Sequence, residues 1–185
     1  MIYFTSDLHF CHDKPFIYEP RGFASVEEMN LAIVDNWNSI VNNEDEVYVL
    51  GDLMLCDNDI GIELLKQLKG KIHVICGNHD SETRQQLYRE LPNVVSIEYA
   101  TEIKYSKAYF FLCHYKTATA NYDDQKAWAK HLISLHGHTH SKEKFEDGNP
   151  YQYNVALDAH NNKLVSIEEI IEDIKQKQEE VIGNV

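Results

Sequence analysis

Five short polar clusters carry residue types that bind divalent cations: Asp7-x-His9, Gly51-Asp52, Gly77-Asn78-His79-Asp80, Cys113-His114 and Gly137-His138-Thr139-His140. Carboxylate, amide oxygen and imidazole form a hard-to-borderline donor set that suits first-row divalent metals. Of the ten histidines in the chain, His136, His138 and His140 fall on alternate positions. Alternate side chains of an extended segment share a face, so three imidazoles there are costly unless something binds them. Asp7 and His9 have the same spacing and can face one cation, as can His138 and His140 from another loop. Asp52 has two carboxylate oxygens and can bridge two metals. So many donors exceed what a single ion uses.

The clusters follow strand-like runs. Residues 2–6, 46–50 and 71–76 are short and apolar, and each ends in one of the motifs. Between the first two runs, Ser25-x-x-Glu28 is a capping box that opens a helix with Met29, Ile33, Val34, Trp37, Ile40 and Val41 as its apolar stripe. Between the second and third, Ile60, Leu64 and Leu68 predict a shorter helix stopping at Gly70. Two β-α-β crossovers make the three strands parallel neighbours with their C-terminal ends on one edge, where open α/β sheets bind ligands. Further on, 99–105 and 108–113 read as a hairpin around Ser106-Lys107, and 132–136, 151–157 and 163–165 as short strands. A second capping box, Ser166-x-x-Glu169, opens a helix with Ile167, Ile170, Ile171 and Ile174 inward, fraying after about residue 176. The alternation of strand and helix patterns predicts a mixed α/β chain.

The 185 residues are read as one domain, 1–185, with no linker or repeat dividing them. Seventeen basic against 30 acidic residues give a net charge of −13, which opposes binding to a long polyphosphate backbone. No apolar run approaches the roughly 20 residues that span a bilayer, and the N-terminus has no signal-peptide pattern. The four cysteines are too widely spaced for a CxxC zinc pair or a disulfide framework. A soluble, cytoplasmic protein with free thiols is expected, its oligomeric state unread. Cys76 and Cys113 read as small apolar residues, while Cys11 and Cys56, if exposed near the metals, would make the site oxidation-sensitive.

In this order and over residues 7–140, the motifs D-x-H, G-D, G-N-H-D, a lone His after a strand and G-H-T-H resemble the calcineurin-like metallophosphoesterases. The resemblance implies a four-layer α/β/β/α sandwich with a dinuclear centre between two sheets. It implies that Asp7, His9 and His140 hold one metal, that Asn78, His114 and His138 hold the other, and that Asp52 bridges. By the same resemblance the cofactors are two divalent ions, manganese first, with iron, zinc or nickel as alternatives. They would lower the pKa of a bridging water, whose hydroxide attacks phosphorus in a small phosphomonoester or phosphodiester, a nucleotide among the candidates. His79 matches the catalytic histidine that protonates the leaving oxygen, so His79 and Asp52 are the catalytic pair. His12, Arg21 and Asn78 are the candidate substrate contacts.

The chain departs from the serine/threonine phosphatases of the superfamily, whose G-D motif continues with an aspartate and an arginine. Here it continues Leu53-Met54-Leu55, which leaves the orientation of His79 to Asp57 or Asp80. The opening D-L-H-F-x-H is closer to small bacterial and phage-type phosphohydrolases. His136 reads as a hydrogen-bonded strand-end residue. Residues 115–131 read either as a partial lid carrying Tyr115, Tyr122 and Trp128 or as a surface helix with Trp128 and Leu132 in the core. Two other functions fit the same motifs: a metal-dependent nuclease acting on short oligonucleotides, and a non-catalytic protein-binding scaffold.

Overall fold

The computed structural model describes residues 1–119 and 130–183. Its elements are β1 (Ile2–Thr5), α1 (Pro15–Tyr18), α2 (Val26–Ile40), β2 (Glu46–Val49), α3 (Asn58–Leu65), β3 (Lys71–Ile75), α4 (Glu82–Arg89), β4 (Val94–Glu98), β5 (Ala100–Tyr105), β6 (Ala108–Cys113), β7 (Leu132–His136), β8 (Gln152–Asn154), β9 (Val165–Ser166) and α5 (Ile167–Gly183). They form a mixed α/β fold of two sheets flanked by helices, with strand orders β4-β3-β2-β1-β9 and β5-β6-β7-β8.

β1, β2 and β3 pair in parallel as the crossovers predict, with Tyr3 opposite Val47 and Val47 opposite Ile72. Ser25 caps α2 by accepting from the Glu28 amide, and the Glu28 carboxylate reaches back to the Ala24 amide at 2.8 Å. Met29, Ile33, Val34 and Trp37 are buried along α2, and Trp37 Nε1 donates to the Lys69 carbonyl at 2.8 Å, tying the helix to the turn before β3. Ile40 lies at the exposed end of the stripe rather than in the core.

α3 differs from its expected register. It ends at Leu65, five residues before Gly70, and it buries Gly61 and Leu65 while Ile60 is 58% exposed. The inward face carries Gly61 because a Cβ there would collide with Met54 Sδ, so a glycine rather than an isoleucine meets the core. α4 and β4 are additional to the predicted elements. β4 extends the first sheet in parallel beyond β3.

The predicted hairpin is present as β5 and β6, antiparallel, with Ser106 and Lys107 both at positive φ in a two-residue turn. The strand expected over 151–157 stops at Asn154. Residues Leu157–His160 form a 3-10 turn instead, and this places Asp158 beside the first loop. β9 pairs antiparallel with β1, and the second capping box is complete: the Ser166 amide donates to Glu169 Oε2 and the Glu169 amide to Ser166 Oγ. α5 stays helical to Gly183 instead of fraying after 176.

Two apolar clusters result. One lies between the first sheet and α2, α3 and α4, with Trp37, Val47, Val49, Leu65, Val74 and Tyr88 buried. The other joins Phe4, Leu50 and Ile75 to Phe110, Leu112, Ile133, Leu135 and Tyr153 of the second sheet and to Ile167, Ile170 and Ile174 of α5. Among the described residues no helix is long and apolar enough to cross a membrane.

Candidate metal centre

The loops after β1, β2 and β3 meet those after β6 and β7 at one edge. The first two are laced together by backbone bonds, the Asp7 amide donating to the Gly51 carbonyl and the His9 amide to the Asp52 carbonyl, each at 3.0 Å, and the third is tied to them through the Asp80 carboxylate. Within the second sheet, the Gly137 amide donates to the His114 carbonyl at 3.0 Å, and across the two sheets the His138 amide donates to Asp7 Oδ2 at 2.9 Å. Gly137 permits this approach, since a Cβ would strike Ser6 Oγ and the Asp7 carboxylate.

Asp7, His9, Asp52, His138 and His140 all have positive φ, between 49° and 70°. That region is sparsely occupied by non-glycine residues and costs about 1–3 kcal/mol each, and such strain concentrates at functional sites. Five such residues in one cleft show that the loops are shaped for the direction of their side chains.

The donors fall into two groups, Asp7, His9 and His140, and Asp52, His114 and His138. In the first, His9 Nε2 lies 3.7 Å and His140 Nε2 3.9 Å from Asp7 Oδ1. In the second, His114 Nε2 lies 3.0 Å from Asn78 Oδ1 and 3.1 Å from His138 Nδ1. Donors held at about 2.0–2.2 Å by one ion stand roughly 3–4 Å from each other, so both groups are spaced for a cation. Asp52 Oδ2 sits between them, 3.7 Å from His9 Nε2 and 3.6 Å from His114 Nε2. The other oxygen, Oδ1, accepts from the His79 amide at 2.9 Å. Only one oxygen of Asp52 therefore faces both groups.

Asp7 Oδ1 and His9 Nε2 are buried and have no hydrogen-bond partner among the described residues. An unsatisfied buried acceptor costs about 1–3 kcal/mol, and a cation at this point would remove the cost. Burial alone would raise the Asp7 pKa, but the nearby imidazoles of His9, His114 and His140 hold it well below the usual carboxylate range. Asp7 is thus ionised as a ligand requires. The His114 Nδ1 is 2.7 Å from the Leu50 carbonyl, which keeps the proton there and turns the Nε2 lone pair into the site.

The family model of the calcineurin-like phosphoesterase superfamily domain matches residues 1–157. The chain belongs to the calcineurin-like phosphoesterase superfamily. This phosphoesterase is 35% identical over 183 residues to the uncharacterized protein MJ1445 of Methanocaldococcus jannaschii, covering 95% of this chain and 92% of that one. It is 29% identical over 200 residues to the Gene 66 protein of Mycobacterium phage D29, covering 96% and 98%. It shares its fold with the Aquifex aeolicus protein AQ665, of unknown function, at a TM-score of 0.72 and 22% identity, covering 93% and 98%. The activity class that goes with the family is hydrolysis of phosphate esters by a metal centre.

In this phosphoesterase the seven residues read from the motifs as metal ligands all converge, and His79 lies beside them. The His79 ring is 35% exposed, and its Nε2 is 3.9 Å from Asp52 Oδ2. His12 joins the same cluster, its Nδ1 3.3 Å from His9 Nδ1 and its ring 6.2 Å from that of His79. Burial and the neighbouring His9 and His79 push the His12 pKa down to about 4. Arg21 does not reach toward substrate as expected. Its guanidinium is 1% exposed, bonded to both oxygens of Asp158 at 3.1 and 2.7 Å and to the Asp7 carbonyl at 2.8 Å.

Neither aspartate proposed to orient His79 does so. Asp57 caps α3 by accepting from the Asp59 amide. Asp80 turns away from the imidazole: its carboxylate accepts from the amides of Asp52, Leu53 and Gly77 and from the Tyr88 hydroxyl at 3.0 Å. Arg84, which carries no motif signal, bonds the His79 carbonyl at 2.7 Å and the Cys56 carbonyl at 3.2 Å, fixing the His79 backbone instead. Asp80→Ala strands three amides and a buried phenol, and is expected to cost about 3–5 kcal/mol of stability by guanidinium unfolding. A loss below about 1 kcal/mol would show that the loop does not depend on this carboxylate.

His136, Cys56 and Cys76 stay outside the cluster of donors. His136 Nδ1 is 3.1 Å from the Gly137 carbonyl, as a strand-end histidine requires. Burial pushes the Cys76 thiol up to about 11, and burial with the adjacent Cys11 thiol pushes Cys56 up to about 12, so neither offers a thiolate. Tyr115 is exposed, with its ring 5.1 Å from that of His114 and 5.0 Å from that of His138. Tyr122 and Trp128 lie outside the described residues, while Leu132 begins β7.

Proposed function

We propose that this chain hydrolyses a small phosphate ester, a phosphomonoester or phosphodiester, at a centre of two divalent cations shared through Asp52. The observation that carries the reading is Asp52 Oδ2, equidistant within 0.1 Å from His9 Nε2 and His114 Nε2 at 3.7 and 3.6 Å. Bound there, two cations would supply Lewis acidity toward phosphoryl oxygens and acidify a water for in-line attack.

The protein residues have separate tasks. Asp7, His9 and His140 would hold one cation, and Asn78, His114 and His138 the other, with the Asn78 amide also within reach of a phosphoryl oxygen. His79 is partly exposed at the rim, where it would act as the acid toward the leaving oxygen. His12 lies beside it and lines the approach of the ester. Two divalent cations outweigh the two ligand aspartates, so the loaded centre attracts phosphate although the chain carries a net charge of −13. The same net charge favours a small ester over a long nucleic acid.

Manganese is the proposed cation, because the donors mix carboxylate and amide oxygen with imidazole and offer no thiolate. A reducing cytoplasm is the proposed compartment and suits four free thiols. The test is hydrolysis of p-nitrophenyl phosphate and bis(p-nitrophenyl) phosphate by metal-stripped protein, with Mn²⁺, Fe²⁺, Zn²⁺ or Ni²⁺ added back. Turnover that returns only with cation is expected, and the preferred ester assigns the substrate class. No turnover of either ester with two cations bound per chain would overturn the proposal.

A further inference from the structure

Asp158 lies in the 3-10 turn after β8, outside every motif, yet it meets the metal centre from behind. Its Oδ2 is 3.2 Å from His140 Nδ1, while His140 Nε2 faces Asp7 Oδ1 at 3.9 Å. The same carboxylate is gripped at both oxygens by Arg21, whose Nη2 also donates to the Asp7 carbonyl at 2.8 Å and whose Nη1 donates to the Leu8 carbonyl at 3.4 Å. One buried ion pair therefore touches two ligand loops, the one after β1 in the first sheet and the one after β7 in the second.

We infer that Asp158, held by Arg21, is a positioning residue for His140 and makes the Asp7–His9–His140 group the tighter of two unequal cation sites. The inference rests on the two-cation reading above. A carboxylate behind a ligand imidazole keeps the proton on the far nitrogen, fixes the ring and raises the basicity of the nitrogen that meets the ion. His140 has that arrangement. In the other group, the nitrogen of His114 that faces away from the site meets only the neutral Leu50 carbonyl, at 2.7 Å.

A buried ion pair of this kind is a poor source of net stability, because desolvation offsets most of the attraction. The bidentate geometry instead holds the carboxylate at a set angle to the imidazole. Arg21 is needed in this role: without it, Asp158 would be a buried carboxylate with only a histidine to balance it, and the loop carbonyls of Asp7 and Leu8 would lose their donor.

The test is Mn²⁺ binding to the full chain by titration calorimetry, with free Mn²⁺ followed by electron paramagnetic resonance. Wild type is expected to show two unequal steps. Asp158→Asn should weaken the tighter step by about 10–100-fold and leave the other within about twofold. In a His140→Ala background the same substitution should have no further effect, since it acts through that imidazole. Arg21→Gln combined with Asp158→Asn leaves no lone buried cation and should reproduce the selective loss if the single variant folds poorly. Equal weakening of both steps, no weakening, or an undiminished effect in the His140→Ala background would overturn the inference. A wild-type chain that takes up only one cation would overturn the two-cation reading itself, and the inference with it.

Discussion

Replacing His79 by alanine is expected to lower kcat for a phosphate ester by about 10²–10⁴-fold while the chain keeps its cations. The two effects separate because the backbone and side chain of His79 do different things. Its amide donates to Asp52 Oδ1 at 2.9 Å, and alanine retains that bond. Its imidazole is partly exposed, with Nε2 3.9 Å from Asp52 Oδ2, at the mouth of the cleft. An acid placed there matters most when the leaving oxygen is basic. The loss should therefore be larger for an alkyl phosphate than for p-nitrophenyl phosphate, whose leaving group departs without a proton. Steady-state kinetics over a series of leaving groups, with metal content measured on the same samples, decides the matter. A uniform loss accompanied by loss of metal would make His79 a ligand rather than an acid.

Asp52→Asn is expected to act on both groups of donors. The side chain keeps its shape, and an amide oxygen can still accept from the His79 amide, so the fold should persist. What disappears is the negative charge at the position that lies 3.7 Å from His9 Nε2 and 3.6 Å from His114 Nε2. Metal-ion stabilisation of a phosphoryl transition state amounts to several kcal/mol, so about three orders of magnitude or more in rate should be lost. Metal content by mass spectrometry should fall for both sites together. Wild-type metal content with wild-type turnover would remove Asp52 from the shared position.

The donor residues were legible because their chemistry is local. Strand-like runs placed them at one sheet edge, and Asp7 and His9 share one group as their spacing suggests, but His138 and His140, both in left-handed rather than extended backbone, fall in different groups. The pair Arg21–Asp158 was not legible. Its partners are 137 residues apart; Arg21 was read as a candidate substrate contact and Asp158 fell between two expected strands, and only the 3-10 turn at Leu157–His160 brings them together.

Asp80 was visible as part of a motif, but its role was not, since what it accepts are backbone amides that no side-chain pattern encodes. α4 escaped notice for a related reason. Glu82–Arg89 is polar along most of its length and buries Gln85 and Tyr88, whose polar ends bond to Asp80, so its inner face lacks an apolar period. Ile60 shows the opposite failure: a correct helical period with the wrong face, because the core beside Met54 has room only for Gly61.

The antiparallel pairing of β9 with β1 sets a timetable for synthesis. Ile2–Thr5 leaves the ribosome well before Val165–Ser166, and one edge of that strand waits for them. At about 5–20 residues per second the delay is roughly 8–30 s. Throughout that interval the nascent chain has an unpaired strand edge, and the partners that Phe4 will find in α5 have not yet been made. Asp158 emerges only shortly before β9. The loop that carries Asp7 and His9 therefore cannot reach its final form, nor the cluster of donors be completed, before Asp158 and β9 have emerged.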